Sequence, residues 1–191
     1  MALHEIEFDL PALQFKLMGY PSLKQGQSLA LQLDGGVLLP DVAADGWYTV
    51  QQETLAPQYF RVAPATYAFS GRIDEAEFIK EDGIETASLM VQCGEIPLRV
   101  TCAPQSSGRL PYGTWETRYL TGYSRIVGLV EEDFAVGIGH TIGVTIWSFR
   151  RLVLGPGDPY FGQWYETDEL PPTPYSHDRI LITAHVHRDV L

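Results

Sequence analysis

The alternation of apolar and polar residues is sharpest between Glu85 and Cys102, where it predicts a β-hairpin with a defined register. A two-residue turn at Gly94-Glu95 fits the type II′ geometry, which requires glycine at its first position. The facing pairs are then Cys93–Ile96, Val91–Leu98, Leu89–Val100 and Ala87–Cys102. Every pair is apolar, and a slip of one residue would expose the whole set. The pattern therefore predicts antiparallel β structure.

Similar alternation predicts strands along most of the chain and gives no strong helix signal. The predicted strands include two within residues 3–20 separated by Pro11, a strand over 134–146, and a closing strand with Ile180, Ile182, Ala184 and Val186 inside. Residues 74–81 fit a short helix or a strand. We favour the strand, because a turn at Asp82-Gly83 would place Phe78 opposite Ala87 and extend the apolar face of the hairpin.

These elements predict an all-β fold, a closed or nearly closed antiparallel barrel, in a single domain of residues 1–191. N-terminal strands occupy residues 1–64 and the barrel core occupies residues 65–154. An aromatic, proline-rich arm follows at 155–178, and the closing strand lies within 179–191. Whether residues 1–64 share the same barrel is not decided by the pattern.

Residues 65 to about 130 have the strand order of a known class of barrel. A bent strand around Gly71-Arg72-Ile73 leads into the tight Gly94-Glu95 hairpin, and a loop then leads to the segment 113–122. This order resembles the OB-fold type of β-barrel. The resemblance implies a sheet face and loops of the kind that bind oligonucleotides or oligosaccharides. It assigns no functional residue to this chain.

The charge balance argues against generic nucleic-acid binding. Thirteen basic and twenty-four acidic side chains give a net charge of −11, whereas affinity for phosphate backbones comes largely from Lys and Arg. A local patch could still reverse the global sign, and the candidates are Arg99, Arg118, Arg125, Arg150 and Arg151. No apolar run is as long as a membrane helix, and the N-terminus lacks a signal-peptide pattern. We expect a cytoplasmic protein with no membrane partner.

The two cysteines are predicted to be reduced and buried. In the hairpin register Cys93 and Cys102 share a face but lie near opposite ends, about 20 Å apart at the rise of a β-strand. A disulfide requires Cα atoms within about 7 Å.

Two histidines provide the best metal-like spacing in the sequence. His185 and His187 share one face of the closing strand, as paired imidazoles do in metal sites, but the sequence identifies no third ligand. A solvated polar face is therefore favoured, and no metal or cofactor is predicted. His140, within an apolar alternation, is predicted to be a core histidine. The chain carries no nucleophile elbow and no Walker sequence, so the motifs favour a non-enzymatic protein and leave the enzyme alternative open.

The strongest functional signal is a group of aromatic residues on proline- and glycine-rich backbone: Tyr160, Phe161, Trp164, Tyr165 and Tyr175. These rings could pack on the barrel, anchor a subunit or partner interface, or bind a small ligand. We predict a non-catalytic binding or assembly domain that forms a homo-oligomer or binds a protein partner. The alternative is a small-molecule or metal-binding barrel, possibly an enzyme, that uses His185 and His187. The third hypothesis is single-strand nucleic-acid binding on an OB-like face.

Overall fold

A computed structural model of the chain describes residues 4–17, 22–36, 47–110, 118–130, 138–171 and 177–187. In these ranges it contains one short helix, α1 (Ala12–Leu17), and thirteen strands. The first seven strands are β1 (Glu5–Asp9), β2 (Leu23–Lys24), β3 (Ser28–Gly35), β4 (Tyr48–Gln51), β5 (Gln58–Ala63), β6 (Thr66–Glu81) and β7 (Ile84–Cys93). The others are β8 (Ile96–Cys102), β9 (Tyr119–Leu129), β10 (Thr141–Leu152), β11 (Trp164–Thr167), β12 (Glu169–Leu170) and β13 (Arg179–Val186).

Eight strands close a barrel in the order β10-β13-β1-β9-β6-β7-β8-β3 and back to β10. Because β3 also pairs with β9, two five-stranded circuits share that pair. One is β3-β8-β7-β6-β9 and the other is β3-β10-β13-β1-β9. Strands β4, β5 and β11 extend the sheet at its margins, and β2 and β12 form a separate pair. The N-terminal strands β1 and β3 are thus part of the barrel.

The all-β prediction is confirmed, but the barrel is mixed and not purely antiparallel. Strand β3 runs parallel to β8, with Asp34 beside Arg99. Strand β1 runs parallel to β9, with Asp9 beside Val127. Consecutive strands joined by a tight turn must be antiparallel. The strands in these two pairs are far apart in the chain, so no tight turn fixes their direction.

The predicted hairpin register is confirmed at all four apolar pairs, from Ala87–Cys102 to Cys93–Ile96. The strand alternative for residues 74–81 is also confirmed, since β6 continues to Glu81 and Phe78 lies opposite Ala87. Gly94 has a φ of 72°, as its turn position requires. Local turn chemistry therefore sets this part of the barrel.

The predicted second strand after Pro11 is wrong, because residues 12–17 form α1. The Phe15 N–H donates to the Pro11 carbonyl at 3.1 Å, which closes the first helical turn. Proline is well suited to the start of a helix, where its missing N–H has no partner to lose. Phe15 of this helix is buried in the core.

One hydrophobic core fills the barrel and draws on both ends of the chain. Ile6 and Phe8 of β1 pack there with the predicted inner face of β13, namely Ile180, Ile182, Ala184 and Val186. Cys93 and Cys102 are free and buried, as predicted. Among the described residues, no helix has the length and apolar character needed to span a membrane.

Candidate functional site: an aromatic hairpin at the sheet edge

Residues 155–167 of the predicted arm belong to a β-hairpin, residues 149–167, in which β11 pairs with β10; we call it the aromatic hairpin. Its register places Thr167, Glu166, Tyr165 and Trp164 opposite Phe149, Arg150, Arg151 and Leu152. Beyond it, β12 pairs with β2 and buries Leu170. The proline- and glycine-rich segment is therefore anchored at its base and at its exit.

Successive turns order the loop of the hairpin. The Asp158 N–H donates to the Gly155 carbonyl at 3.1 Å, and the Phe161 N–H donates to the Asp158 carbonyl at 3.0 Å. The Asp158 side chain also accepts the Tyr160 N–H at 2.9 Å. Gly157 and Gly162 have φ near 82° and 81°, values that other residues rarely adopt. The local sequence thus builds a defined loop.

Four of the five predicted aromatic residues lie on this hairpin and face solvent. Tyr160 is 54% exposed, Phe161 61%, Trp164 40% and Tyr165 37%, so they do not pack into the core of their own barrel. Tyr160 and Tyr165 meet edge to face, with ring centroids 5.5 Å apart. The fifth, Tyr175, lies outside the described residues. Exposed rings on ordered backbone are characteristic of protein interfaces.

An arginine supports the hairpin from beneath. The Arg150 guanidinium lies 5.3 Å from the centroid of the Trp164 ring, within cation–π range. The same guanidinium donates to Glu7 Oε2 at 2.6 Å. Glu7 is itself 2% exposed and accepts the Ala65 N–H at 2.8 Å. The position of Trp164 is therefore tied to a buried carboxylate of β1.

Sequence reasoning missed Glu7 and assigned Arg150 to a different surface. Glu7 and Asp9 alternate with apolar residues, a pattern that predicts solvent-facing side chains. In the structure both are nearly fully buried. Arg179 binds Asp9 through two bonds of 2.7 and 2.9 Å. No local signal in the sequence distinguishes such buried carboxylates from exposed ones.

The predicted basic patch is largely neutralised by acidic partners. Arg99 pairs with Asp34, Arg125 with Asp9, Arg150 with Glu7 and Arg151 with Asp178. Of these five arginines, all within the described residues, the exposed Arg118 is the one without an ion pair to another described residue. These pairings weaken the electrostatic basis for nucleic-acid binding.

His185 and His187 contact different side chains. The His185 ring packs against Trp147, with centroids 5.3 Å apart. The His187 Nε2 instead lies 2.5 Å from Thr145 Oγ1. Among the described residues, no three His, Cys, Asp or Glu side chains are grouped closely enough to hold a metal ion. His140, predicted in the core, is exposed, because β10 begins only at Thr141.

A cleft of about 410 Å³ contains a group of histidines that the sequence did not predict. His4, His140 and His187 line it beside an apolar wall of Ile96, Pro97, Ile142 and Val186. His4 Nε2 lies 2.8 Å from Glu95 Oε2 at the same opening. These residues come from distant parts of the chain, so no sequence spacing joins them.

The two thiols are unsuited to nucleophilic chemistry. Burial raises the pKa of Cys93 and of Cys102 to about 12, which leaves almost no thiolate at neutral pH.

No protein-family model, curated protein or solved structure matches this chain. The fold and the site therefore define its class by themselves: an all-β barrel protein with an ordered, solvent-exposed aromatic hairpin at one margin of its sheet.

Proposed function

We propose that this chain is a non-catalytic binding and assembly protein whose contact surface is the aromatic hairpin. The observation that carries the proposal is the exposure of four aromatic rings on a hairpin whose backbone is ordered by its own turns. Aromatic side chains supply large contact areas, and an ordered backbone loses little further entropy on binding. The Arg150–Glu7 contact adds rigidity beneath Trp164.

The test compares the size of native complexes in extracts of cells that produce the protein. We expect the wild-type chain to migrate above its monomer mass of 21.3 kDa, and a Phe161→Ser/Trp164→Ser variant to return to that mass. Phe60→Ser is the matched control, because Phe60 is 55% exposed on β5, which pairs with β6 and is no part of the hairpin. A complex that survives the double substitution, or monomer in every sample, would refute the proposal.

The first barrel circuit is consistent with an OB-like arrangement, which we include in the proposal. Strands β6, β7, β8 and β9 fall within the segment that resembles an OB-fold, and β3 closes their circuit as a fifth strand. The fifth strand precedes the others in the chain. The resemblance thus concerns the scaffold, while the proposed contact surface lies on the second circuit through β10.

The histidine-lined cleft favours small-molecule binding as a second candidate function. Its apolar wall and three imidazoles offer both hydrophobic contact and hydrogen bonds, the usual makeup of a ligand site. Native mass spectrometry of gently purified protein tests it. A bound adduct that is lost in a His140→Ala/His187→Ala variant would support the candidate, and bare protein mass from every preparation would remove it.

A further inference from the structure

The free edge of β11 has the geometry needed to pair with another strand. β11 is the outermost strand of its sheet and bonds only to β10. In the described part of the chain, no strand lies on its other side. An uncovered edge presents N–H and C=O groups that readily pair with another chain.

The alternation of hydrogen-bonded and non-bonded pairs between β10 and β11 shows which backbone N–H and C=O groups of β11 face outward. The Val153 N–H donates to the Gln163 carbonyl at 3.0 Å, and the Val153 carbonyl accepts the Gly162 N–H at 2.7 Å. Bonded and non-bonded pairs alternate along an antiparallel ladder. Leu152–Trp164 and Arg150–Glu166 are therefore non-bonded pairs. Trp164 and Glu166 thus direct their backbone N–H and C=O away from β10, toward the free edge.

We propose that the partner is a second copy of this chain, joined by antiparallel β11–β11 pairing about a two-fold axis at Tyr165. This inference rests on the proposed function and names its partner. In this register Trp164 of each copy lies opposite Glu166 of the other. Both outward-facing residues then form bonded pairs, and four backbone hydrogen bonds close the interface.

The alternative two-fold registers are less favourable. Centring the pair on Glu166 would set two carboxylates directly opposite each other, which destabilises a strand pair. Centring it on Trp164 would bring Glu166 opposite Gly162, where Gly162 and Gln163 both bond to Val153 and form a bulge that interrupts the regular ladder. Of these three registers, only the one centred on Tyr165 lets both Trp164 and Glu166 form bonded pairs and keeps the two Glu166 carboxylates from lying opposite each other.

Charge complementarity also favours a second copy. Arg150 and Glu166 are cross-strand neighbours within one copy, and the Arg150 guanidinium stacks on Trp164. In the proposed pair, Glu166 of the second copy lies beside this Trp164. The two-fold axis repeats the contact, so each Glu166 carboxylate approaches the Trp164 ring of the other hairpin and the Arg150 guanidinium behind it, which also binds Glu7. A self-complementary patch of this kind is what a two-fold interface requires.

A cysteine at the two-fold axis tests the register directly. In the proposed pair the two Tyr165 residues form a non-bonded pair, whose Cα atoms lie about 4.5 Å apart, within the range for a disulfide. We expect Tyr165→Cys to form a covalent dimer under mild oxidation. The two native cysteines are buried and do not compete. Phe60→Cys is the matched control, because Phe60 is 55% exposed but lies on β5, which takes no part in the proposed pair.

A backbone substitution provides an independent measurement. Glu166→Pro removes an outward N–H but no β10–β11 bond, and proline is accepted on edge strands at such positions. We expect the dimer dissociation constant to rise about tenfold or more, whereas Glu166→Gln, which loses the charge but keeps the N–H, should weaken the dimer less. Circular dichroism verifies that the fold is retained, and the cysteine experiment stands if proline unfolds the hairpin.

The outcomes separate the two proposals. Disulfide dimers of Tyr165→Cys, together with a weakened Glu166→Pro dimer, would support the β11–β11 pair. A purified wild-type monomer, or a dimer that neither substitution affects, would overturn it. If the purified chain is monomeric while hairpin substitutions still dissolve a complex in cell extracts, the second copy is wrong but the proposed function stands. If neither complex exists, both proposals fail.

Discussion

Arg99 and Asp34 are direct neighbours across the parallel pair of β8 and β3, and their side chains form a buried ion pair with 2.5 Å between Arg99 Nε and Asp34 Oδ2. Arg99 is 2% exposed and Asp34 is 0% exposed. Thr101 also donates to Asp34 at 2.8 Å. This pair joins β3 to β8, the contact that closes the first barrel circuit.

Breaking this pair should destabilise the fold strongly. We expect Asp34→Ala or Arg99→Ala to lower the free energy of unfolding by about 3–5 kcal/mol, because each leaves a buried charge without its partner. An Asp34→Leu/Arg99→Met double variant should lose less than the two single losses combined. Urea unfolding measures all three. The exposed pair Arg72–Asp74 is the control, and Arg72→Ala should cost less than about 1 kcal/mol. Equal small losses at both sites would contradict the prediction.

The two native thiols should not react with thiol reagents while the protein is folded. With the pKa of Cys93 and of Cys102 raised to about 12 by burial, only a minute fraction is thiolate at pH 8. We expect no labelling by a thiol reagent in the folded protein and labelling of both cysteines in denaturant, measured by intact mass. Stoichiometric labelling of the folded chain would show that the hairpin opens readily.

Rising pH should begin to destabilise the fold near pH 9, below the pH at which ordinary tyrosine side chains ionise. The two thiols have a usual pKa of 9.0 but about 12 when folded, so above pH 9 the unfolded chain loses these protons first. Stability then falls with rising pH, by about 1.4 kcal/mol per thiol for each unit. Burial also raises the pKa of Tyr59 and of Tyr67, which adds to the effect.

Unfolding in urea at pH 8 and pH 10 measures this loss. The Cys93→Ala/Cys102→Ala variant is the comparison, and it should be less stable at pH 8 but lose less between the two pH values. Equal losses in both proteins would contradict the role of the thiols.

Gly71 should tolerate no side chain. A Cβ there would lie 2.2 Å from the Gln92 carbonyl oxygen, which belongs to the backbone of the neighbouring strand β7. We expect Gly71→Ala to destabilise the protein by more than about 2 kcal/mol, measured by urea unfolding. Gly155→Ala is the control, because its nearest neighbour would be the Asp158 Cβ at 3.9 Å. Similar stability of both variants would mean that the barrel adjusts at Gly71.

Parts of the fold were predictable where the deciding interactions are local. The Gly94-Glu95 turn fixes the β7–β8 register, and the alternation in β13 identifies its buried face. The same reasoning failed after Pro11. The apolar residues alternate there as in a strand, but residues 12–17 form a short helix whose first turn is closed by the Pro11 carbonyl. Short segments carry too few positions to separate the two periods.

The candidate site was predictable only in part. Composition alone indicated Tyr160, Phe161, Trp164 and Tyr165 as candidate contact residues, because large rings on proline- and glycine-rich backbone are unusual. Their exposure, and their position at the free edge of β11, depend on pairing with β10 and could not be read from composition. The histidine cleft was missed because His4, His140 and His187 meet only in three dimensions.

By itself the sequence determined the β class, the register of the central hairpins and the inward faces of several strands, because turn chemistry and side-chain alternation act over a few residues. Only the tertiary structure decided the parallel pairings and the burial of Glu7 and Asp9 beneath arginines. It also left β11 as the outermost strand of its sheet. Those features depend on which distant segments meet, and an alternating strand carries the same pattern whether its polar face meets water or a buried arginine.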